Sequence, residues 1–212
     1  AATEKARDLV RMAVARAGLI APLKRLTLEL NPSALVVGGG IAGMVSALNL
    51  ADQGFSVYLL EKEAALGGVA RSLYSTLEGG NVQEYLHSLI GRVLQHPRIT
   101  VHTVAELKKV SGYVGSYTST VAVKGREELV EIRHGAAIIA TGAREFKPDE
   151  YGYGKDRRVL TQKELGAELQ KKSPRLKKAK NVVMIQCVGS RSEERPYCSR
   201  ICCTQAVKHA LM

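Results

Sequence analysis

The 212-residue sequence has no tryptophan and only 5% aromatic residues, so it offers few flat side chains on which nucleic-acid bases could stack. No apolar run comes near the roughly 20 residues that a membrane-spanning helix needs. Residues 1–7 contain neither an initiator methionine nor the apolar segment of a secretory signal. The last residues stop in mid-pattern, and the expectation is a piece of a longer, cytoplasmic protein. Acids are scarce relative to bases, 20 against 31, for a net charge of +11 and a pI near 9.6. Such an excess can mark a nucleic-acid or anionic partner. Its distribution argues against nucleic acid, because residues 155–180 hold ten Lys/Arg against three acids and supply +7 by themselves. The reading is a solvated basic linker and helix. A composition of 45% hydrophobic and 24% charged residues is that of a folded globular chain. There is no internal repeat, and the length suits one large domain or one domain with part of a second.

Along the chain, a helix is expected over 3–17, capped by Thr3 and ended by Gly18, with Ala6, Leu9, Val10, Ala13, Val14 and Ala17 on one stripe. Pro22 and Pro32 bracket a connector. Residues 34–37 form a short apolar strand followed at once by Gly38-Gly39-Gly40-Ile41-Ala42-Gly43 and a helical pattern from Met44 to Ala51, with Gly54 as its cap. Residues 55–60 are a second apolar strand ending at Glu61. Asn81 with Glu84 opens another helix, closed at His96-Pro97. Strands are expected at 99–104, 136–140 and 182–185, an antiparallel meander over about 105–134, and a helix over 204–211.

Gly38, Gly40 and Gly43 satisfy G-x-G-x-x-G between a strand and a helix, with an acid, Glu61, at the end of the next strand. Gly38 makes the tight turn, Gly40 lets the backbone approach a pyrophosphate, and Gly43 allows close helix–strand packing. The helix end at Ile41 and Ala42 offers free N–H groups to phosphate oxygens. Glu61 suits a free ribose 2′-hydroxyl, which selects NAD or FAD over a 2′-phosphorylated nucleotide. Three features then choose FAD: Glu61-Lys62-Glu63 leading into a second glycine turn at Gly67-Gly68, the meander interrupting the parallel pattern, and a buried strand ending in Ala140-Thr141-Gly142.

With these motifs the sequence resembles the two-dinucleotide-binding-domain flavoproteins, the group of thioredoxin and glutathione reductases, over roughly 34–143. The resemblance implies that the second glycine turn, the meander and the closing Ala-Thr-Gly belong to an FAD domain, and that the backbone of Val104 meets adenine. Two departures stand out. The segment Gln186-Cys187-Val188-Gly189-Ser190-Arg191 is not a second glycine fingerprint, and no C-x4-C redox dithiol lies near the helix that follows Gly40.

The four cysteines are unevenly placed: Cys187, then Cys198, Cys202 and Cys203 within six residues. On spacing they could hold an iron–sulfur cluster, hold structural zinc, or be buried or disulfide-linked without a function. Zinc sites more often pair C-x2-C halves. Cys198 and Cys202 would share a helix face or tight turn, while Cys203 would diverge through irregular backbone. Arg191, Arg195 and Arg200 nearby could offset thiolate charge.

The segments 184–191 and 196–203, with the glycine and Ala-Thr-Gly motifs, look like the A chain of heterodisulfide reductases of anaerobic microorganisms. That resemblance implies an iron–sulfur flavoprotein in which FAD exchanges electrons with cluster chains, in some members by flavin-based bifurcation. It implies that Cys187, Cys198, Cys202 and Cys203 ligate a 4Fe-4S cluster. Lys208 would lie near the flavin and tune its N5, the alternative being a solvated helix lysine. Its partners would be the other subunits of such a complex and ferredoxin-like carriers, with no nucleic acid. The family's C-x2-C-x2-C ferredoxin motifs are absent from these residues. The expected fold is α/β: a doubly wound, mainly parallel, Rossmann-like FAD-binding sheet with an inserted antiparallel meander and the start of a second α/β domain. The expected boundaries are 1–32 for the helix and connector, 33–150 for the FAD domain, 151–180 for the basic linker and 181–212 for the cysteine-bearing segment. Competing readings are an NAD(P)H-dependent flavin reductase and, in another class, a nucleotide-binding module that docks partners through its basic segment.

Overall fold

The computed structural model describes residues 2–21 and 27–212; Pro22 of the expected connector lies outside them. In chain order the elements are α1 (Ala2–Leu19), β1 (Ser33–Val37), α2 (Ile41–Asp52), β2 (Ser56–Leu60), a 3-10 turn (Gly68–Ser72), α3 (Val82–Gln95) and β3 (Ile99–His102). There follow β4 (Ala105–Tyr113), β5 (Ser116–Val123), β6 (Val130–His134), β7 (Ala136–Ile139), α4 (Gln162–Gln170), α5 (Pro174–Lys177) and α6 (Cys202–Ala210).

Four parallel strands form the central sheet in the order β3-β2-β1-β7. The continuous apolar runs of β1 and β2 arise because both faces of these two central strands are covered, whereas β7, expected as a buried strand, is an edge strand with most of its residues exposed, Ile139 at 67%. Val36, Val57 and Leu59 pack on one face under Met44, Ala47, Leu48 and Ala51 of α2 and Leu86, Leu89 and Val93 of α3. The intervening Leu35 and Leu60 point the other way and pack with Ala105, Val121 and Ile132 of the meander. Period-two alternation therefore splits each strand between a helical layer and an antiparallel layer. The meander, order β4-β5-β6, is itself the crossover that carries the chain from β3 at one edge of the parallel sheet to β7 at the other.

The helix ends follow side-chain chemistry. Asn81 Oδ1 accepts from the N–H groups of Gln83 and Glu84 and starts α3. Thr161 and Glu164 form a reciprocal capping box at α4. Gly54, with φ +96°, follows α2. Other expectations are corrected. Residues Val182 to Ile185 form no strand, because none runs beside them among the described residues. α6 starts at Cys202, earlier than the expected 204, so Cys203 is helical and does not diverge through irregular backbone. β3 stops at His102, which leaves Val104 beyond the strand. α1 already includes Ala2, so Thr3 lies inside it and does not cap it, and it extends to Leu19 through Gly18, where an end was expected; none of its residues is buried.

Inside the meander, Ser119 and His134 are each 0% exposed. His134 Nδ1 lies 2.9 Å from the Ala136 carbonyl, which can only accept, so that nitrogen carries the proton and Nε2 accepts from the Ser119 hydroxyl at 2.8 Å. Tyr117 stacks on the ring, with centroids 5.6 Å apart. Burial pushes the His134 pKa below the ordinary histidine value, against a smaller opposing effect of the Ala136 hydrogen bond. Above pH about 6.5 the side chain is neutral in both folded and unfolded chains; as pH falls below that value the unfolded chain takes up the proton first and stability is lost. We predict a lower urea midpoint at pH 5 than at pH 7.5, and a smaller difference between the two in His134→Gln; an equal difference would show that His134 does not contribute.

Candidate dinucleotide site and cysteine segment

The chain leaves β1 through Gly38, whose φ is +114° and whose N–H donates to the Leu60 carbonyl at 2.8 Å. A side chain on Gly38 would overlap the Ala140 carbonyl oxygen, and one on Gly43 would overlap the Gly38 carbonyl oxygen. Both glycines are demanded by crowding within the protein. Gly43 thus packs against the turn more than against the strand. Gly40 is different. Its φ of −76° suits any residue, and a Cβ there would meet nothing within 4 Å, so the protein leaves this space open. Gly40 is the N-cap of α2, no side chain caps that end, and no acid lies in the first turn. The N–H groups of Ile41, Ala42 and Gly43 precede the first intrahelical bond, Met44 N–H to Gly40 carbonyl at 2.9 Å. An anion is the group that such an end accommodates.

A second turn stacks on the first. Gly67 (φ +113°) donates its N–H to the Gly39 carbonyl at 2.7 Å, and a Cβ on Gly68 would lie 3.3 Å from Gly40 Cα. Glu61, 6% exposed, braces the pair: Oε2 accepts from Gly39 N–H and Oε1 from Glu63 N–H, each at 2.8 Å. A carboxylate accepts about four hydrogen bonds, so lone pairs remain for ribose hydroxyls. Lys62 beside it is exposed. The bracing role is not visible in the fingerprint, although the unbroken Gly38-Gly39-Gly40 run is its trace: a Cβ on Gly39 would come within 2.9 Å of Glu61 Oε2.

Val104 has φ +48°, a strained setting for a β-branched residue. Its N–H donates to the Glu63 carbonyl at 3.1 Å and its carbonyl accepts from Lys124 N–H at 3.0 Å. Ala140 N–H donates to the Val37 carbonyl at 2.8 Å, and Thr141 and Gly142 continue exposed beyond it. Gly38, Glu61, Val104 and Ala140 therefore gather at the carboxyl ends of the four parallel strands, where open α/β sheets bind ligands. An open groove bordered by Ser33 and Ser56 lies at the opposite, amino ends.

The cysteine segment docks beside this edge. Gly189 packs on Phe146, six residues after Ala140, and the Arg195 guanidinium lies 5.2 Å above the Phe146 ring. All four cysteines are free thiols. Cys198 Sγ accepts from Arg200 N–H at 3.3 Å, and Cys202 Sγ from the Ser199 hydroxyl at 3.5 Å. The Ser199 hydrogen bond, with the Cys187 N–H next, lowers the Cys202 pKa. The Cys203 pKa is raised, chiefly by the negative charge of Cys202, with Cys187 and Cys198 adding to it. The four sulfurs thus sense one another, but among the described residues no three metal-type side chains converge closely enough to hold an ion. Like-charged thiolates repel unless a cation compensates them.

Lys208 is not the solvated lysine that a helix surface would give. It is 9% exposed, and its Nζ donates to the Ser75 carbonyl at 2.9 Å, just after the 3-10 turn that follows Gly67. Burial lowers its pKa. Its neighbour His209 is held between Gln162 of α4 and Gln205 of α6, 2.8 Å from each, a clamp that no sequence motif announces.

Fold and site together define a dinucleotide-binding oxidoreductase domain. The family model described as pyridine nucleotide-disulphide oxidoreductase matches residues 32–185, and the chain belongs to that family. More particularly, the resemblance to the A chains of heterodisulfide reductases is borne out. The chain is 32% identical to the second iron–sulfur A chain of the CoB–CoM heterodisulfide reductase of Methanopyrus kandleri. It is also 32% identical to the A chain of the H2:CoB–CoM heterodisulfide, ferredoxin reductase of Methanothermobacter marburgensis. Each match takes in 99% of this chain and 45% of the relative, so the chain spans less than half their length. Among solved structures, L-proline dehydrogenase from P. horikoshii is 20% identical with a TM-score of 0.46, over 58% of this chain and 25% of that one. No helix among the described residues is long and apolar enough to cross a membrane.

The contrast between Gly38 and Gly40 makes a prediction. Gly38→Ala should lose on the order of 2 kcal/mol or more of stability, since it combines a left-handed φ with overlap. Gly40→Ala should unfold at the parent's urea midpoint yet bind FAD about tenfold or more weakly, about 1.4 kcal/mol, by fluorescence titration. Equal affinity in Gly40→Ala would show that the open space is not the phosphate cradle.

Proposed function

We propose that this chain is the FAD-binding and cysteine-bearing part of an electron-transferring protein of the heterodisulfide reductase A type. The observation that carries the reading is the open space at Gly40 on the uncapped start of α2, braced by Glu61 and followed in the same chain by four free thiols. FAD when bound would supply the exchange of electrons singly or in pairs. Ile41, Ala42 and Gly43 would hold its pyrophosphate with backbone N–H groups, and Gly67-Gly68 would wall the far side. Glu61 would accept from the ribose hydroxyls while still holding Gly39. The backbone near Val104 would border the adenine, and Ala140, Thr141 and Gly142 would line the remaining edge. Lys208, desolvated on Ser75, would present a cation to the flavin and favour its more negative states.

Cys187, Cys198, Cys202 and Cys203 would hold a 4Fe-4S cluster. Backbone N–H groups already aimed at sulfur, such as Arg200 to Cys198, would stabilise the ligated thiolates, as would Arg191 and Arg195. Most of the cations of 155–180 are exposed, whereas two of its three acids are tied internally. Asp156 is held down to about 2 by its hydrogen-bonded pairing with Arg158, and Glu164 serves the Thr161 cap and the Tyr153 hydroxyl. This ridge, on the α4 that packs against α6, fits an acidic ferredoxin-like carrier or an acidic partner protein, with attraction that weakens in salt.

A flavin absorption band on the purified chain, together with about four irons per chain after anaerobic reconstitution, is the expected result. Cys198→Ala should lose the iron and keep the flavin. A chain that refuses FAD, or that saturates with zinc and takes up no iron, would contradict the reading. Lys208→Ala should shift the flavin potential downward without loss of FAD; an unchanged potential would remove Lys208 from the site.

A further inference from the structure

The segment before Cys187 gives apolar side chains to solvent: Val182, Val183 and Ile185 are 60%, 84% and 50% exposed, while Met184 and Gln186 are half-buried. A primary amide has thus been placed in the interior where three apolar neighbours have not. Both polar atoms of that amide, Gln186 Nε2 and Oε1, are buried with no hydrogen-bond partner, and among the described residues they are the two side-chain atoms in that condition. A buried amide without partners is costly, and such inconsistency between local polarity and burial concentrates at functional sites. The backbone around it is pinned. The Cys187 carbonyl accepts from Ser190 N–H at 3.1 Å, and Gly189 packs on Phe146 of the segment that follows Ala140-Thr141-Gly142. The orphaned amide thus lies on a span pinned to the chain that follows the dinucleotide site, immediately before the first cysteine.

We propose that Gln186 is a flavin-recognition residue, its amide reserved for the pyrimidine edge of the isoalloxazine; this rests on the FAD reading above. The chemistry of the orphan selects the ligand. Its Nε2 needs an acceptor and its Oε1 needs a donor, side by side in one plane. The sulfides and thiolates of an iron–sulfur cluster only accept, so a cluster would leave Oε1 unpaired. The pyrimidine edge of a flavin offers a ring N3–H flanked by two carbonyl oxygens, and one primary amide matches a donor–acceptor pair of that edge in two parallel hydrogen bonds. Lying next to Cys187, Gln186 would also couple flavin binding to the geometry of the first cysteine.

The test pairs a variant with an altered probe. Parent, Gln186→Leu and Gln186→Asn proteins are titrated with FAD and with FAD methylated at N3, alongside thermal melts of the apoproteins. Replacing an unpartnered amide by an apolar group of similar size should leave apo Gln186→Leu at least as heat-stable as the parent, so weaker binding is not misfolding. The parent should bind FAD about tenfold or more tightly than N3-methyl-FAD, and Gln186→Leu should bind the two alike, at the weaker level, with unchanged iron content. Gln186→Asn, too short to reach, should resemble Gln186→Leu. Discrimination against the methyl group that survives in Gln186→Leu would overturn the assignment, as would normal FAD binding with reduced iron content, which would give the amide to the cluster. Failure of the parent itself to bind FAD would be a separate result, rejecting the flavin reading and this one with it.

Discussion

The carbonyl of Gly38 occupies the volume that a side chain on residue 43 would need, and the rest of the site depends on that contact. It draws the start of α2 down onto the end of β1, so the helix begins within one turn of the sheet edge. The helix end then faces the same side as Glu61, Val104 and Ala140, which terminate or follow the neighbouring strands. Because Gly38 is itself pressed on Ala140, the turn also ties β1 to β7 at the edge where the chain departs toward the cysteines. Helix dipole, free N–H groups and open space converge there because two glycines let backbone pack on backbone.

Glu61 has a double part in this arrangement. A buried carboxylate is tolerated when its oxygens receive hydrogen bonds, and here two backbone N–H groups supply them before any ligand arrives. The same bonds hold Gly39 in place and so preorganise the cradle, which reduces what a nucleotide must order on binding. The stacking of Gly67-Gly68 on Gly39-Gly40 extends the preformed surface. The cysteine half is organised differently. Its loop has little regular structure and is anchored by Phe146, by α6 and by the Gln162–His209–Gln205 clamp.

Local chemistry made much of this legible in advance. The β1–α2–β2 unit, the Asn81 cap and the meander over 105–134 follow from apolar periodicity, turn glycines and side-chain caps within a few residues of one another. What depends on distant chain was not legible. Residues 182–185 have strand composition but find no strand beside them, so pairing, not propensity, decides their state. The hold of Glu61 on Gly39 crosses 22 positions, the seat of Lys208 on Ser75 crosses 133, and no periodic signal marks either. Gln186 read only as the residue that follows the expected strand 182–185, and its orphaned amide becomes visible only once burial is known. Cys203 joined the helix because α6 begins at Cys202, a boundary that the pattern of apolar residues placed slightly late.

The central claim is that the first glycine turn and the second together form a preorganised pyrophosphate cradle at the start of α2. Amide hydrogen exchange with and without FAD tests it most directly. Bound FAD should slow exchange in residues 39–44 and 67–70 and leave the distal meander turn at Tyr113 and Gly115 unchanged. Protection confined to other segments, with 39–44 exchanging as fast as in the free protein, would contradict the account.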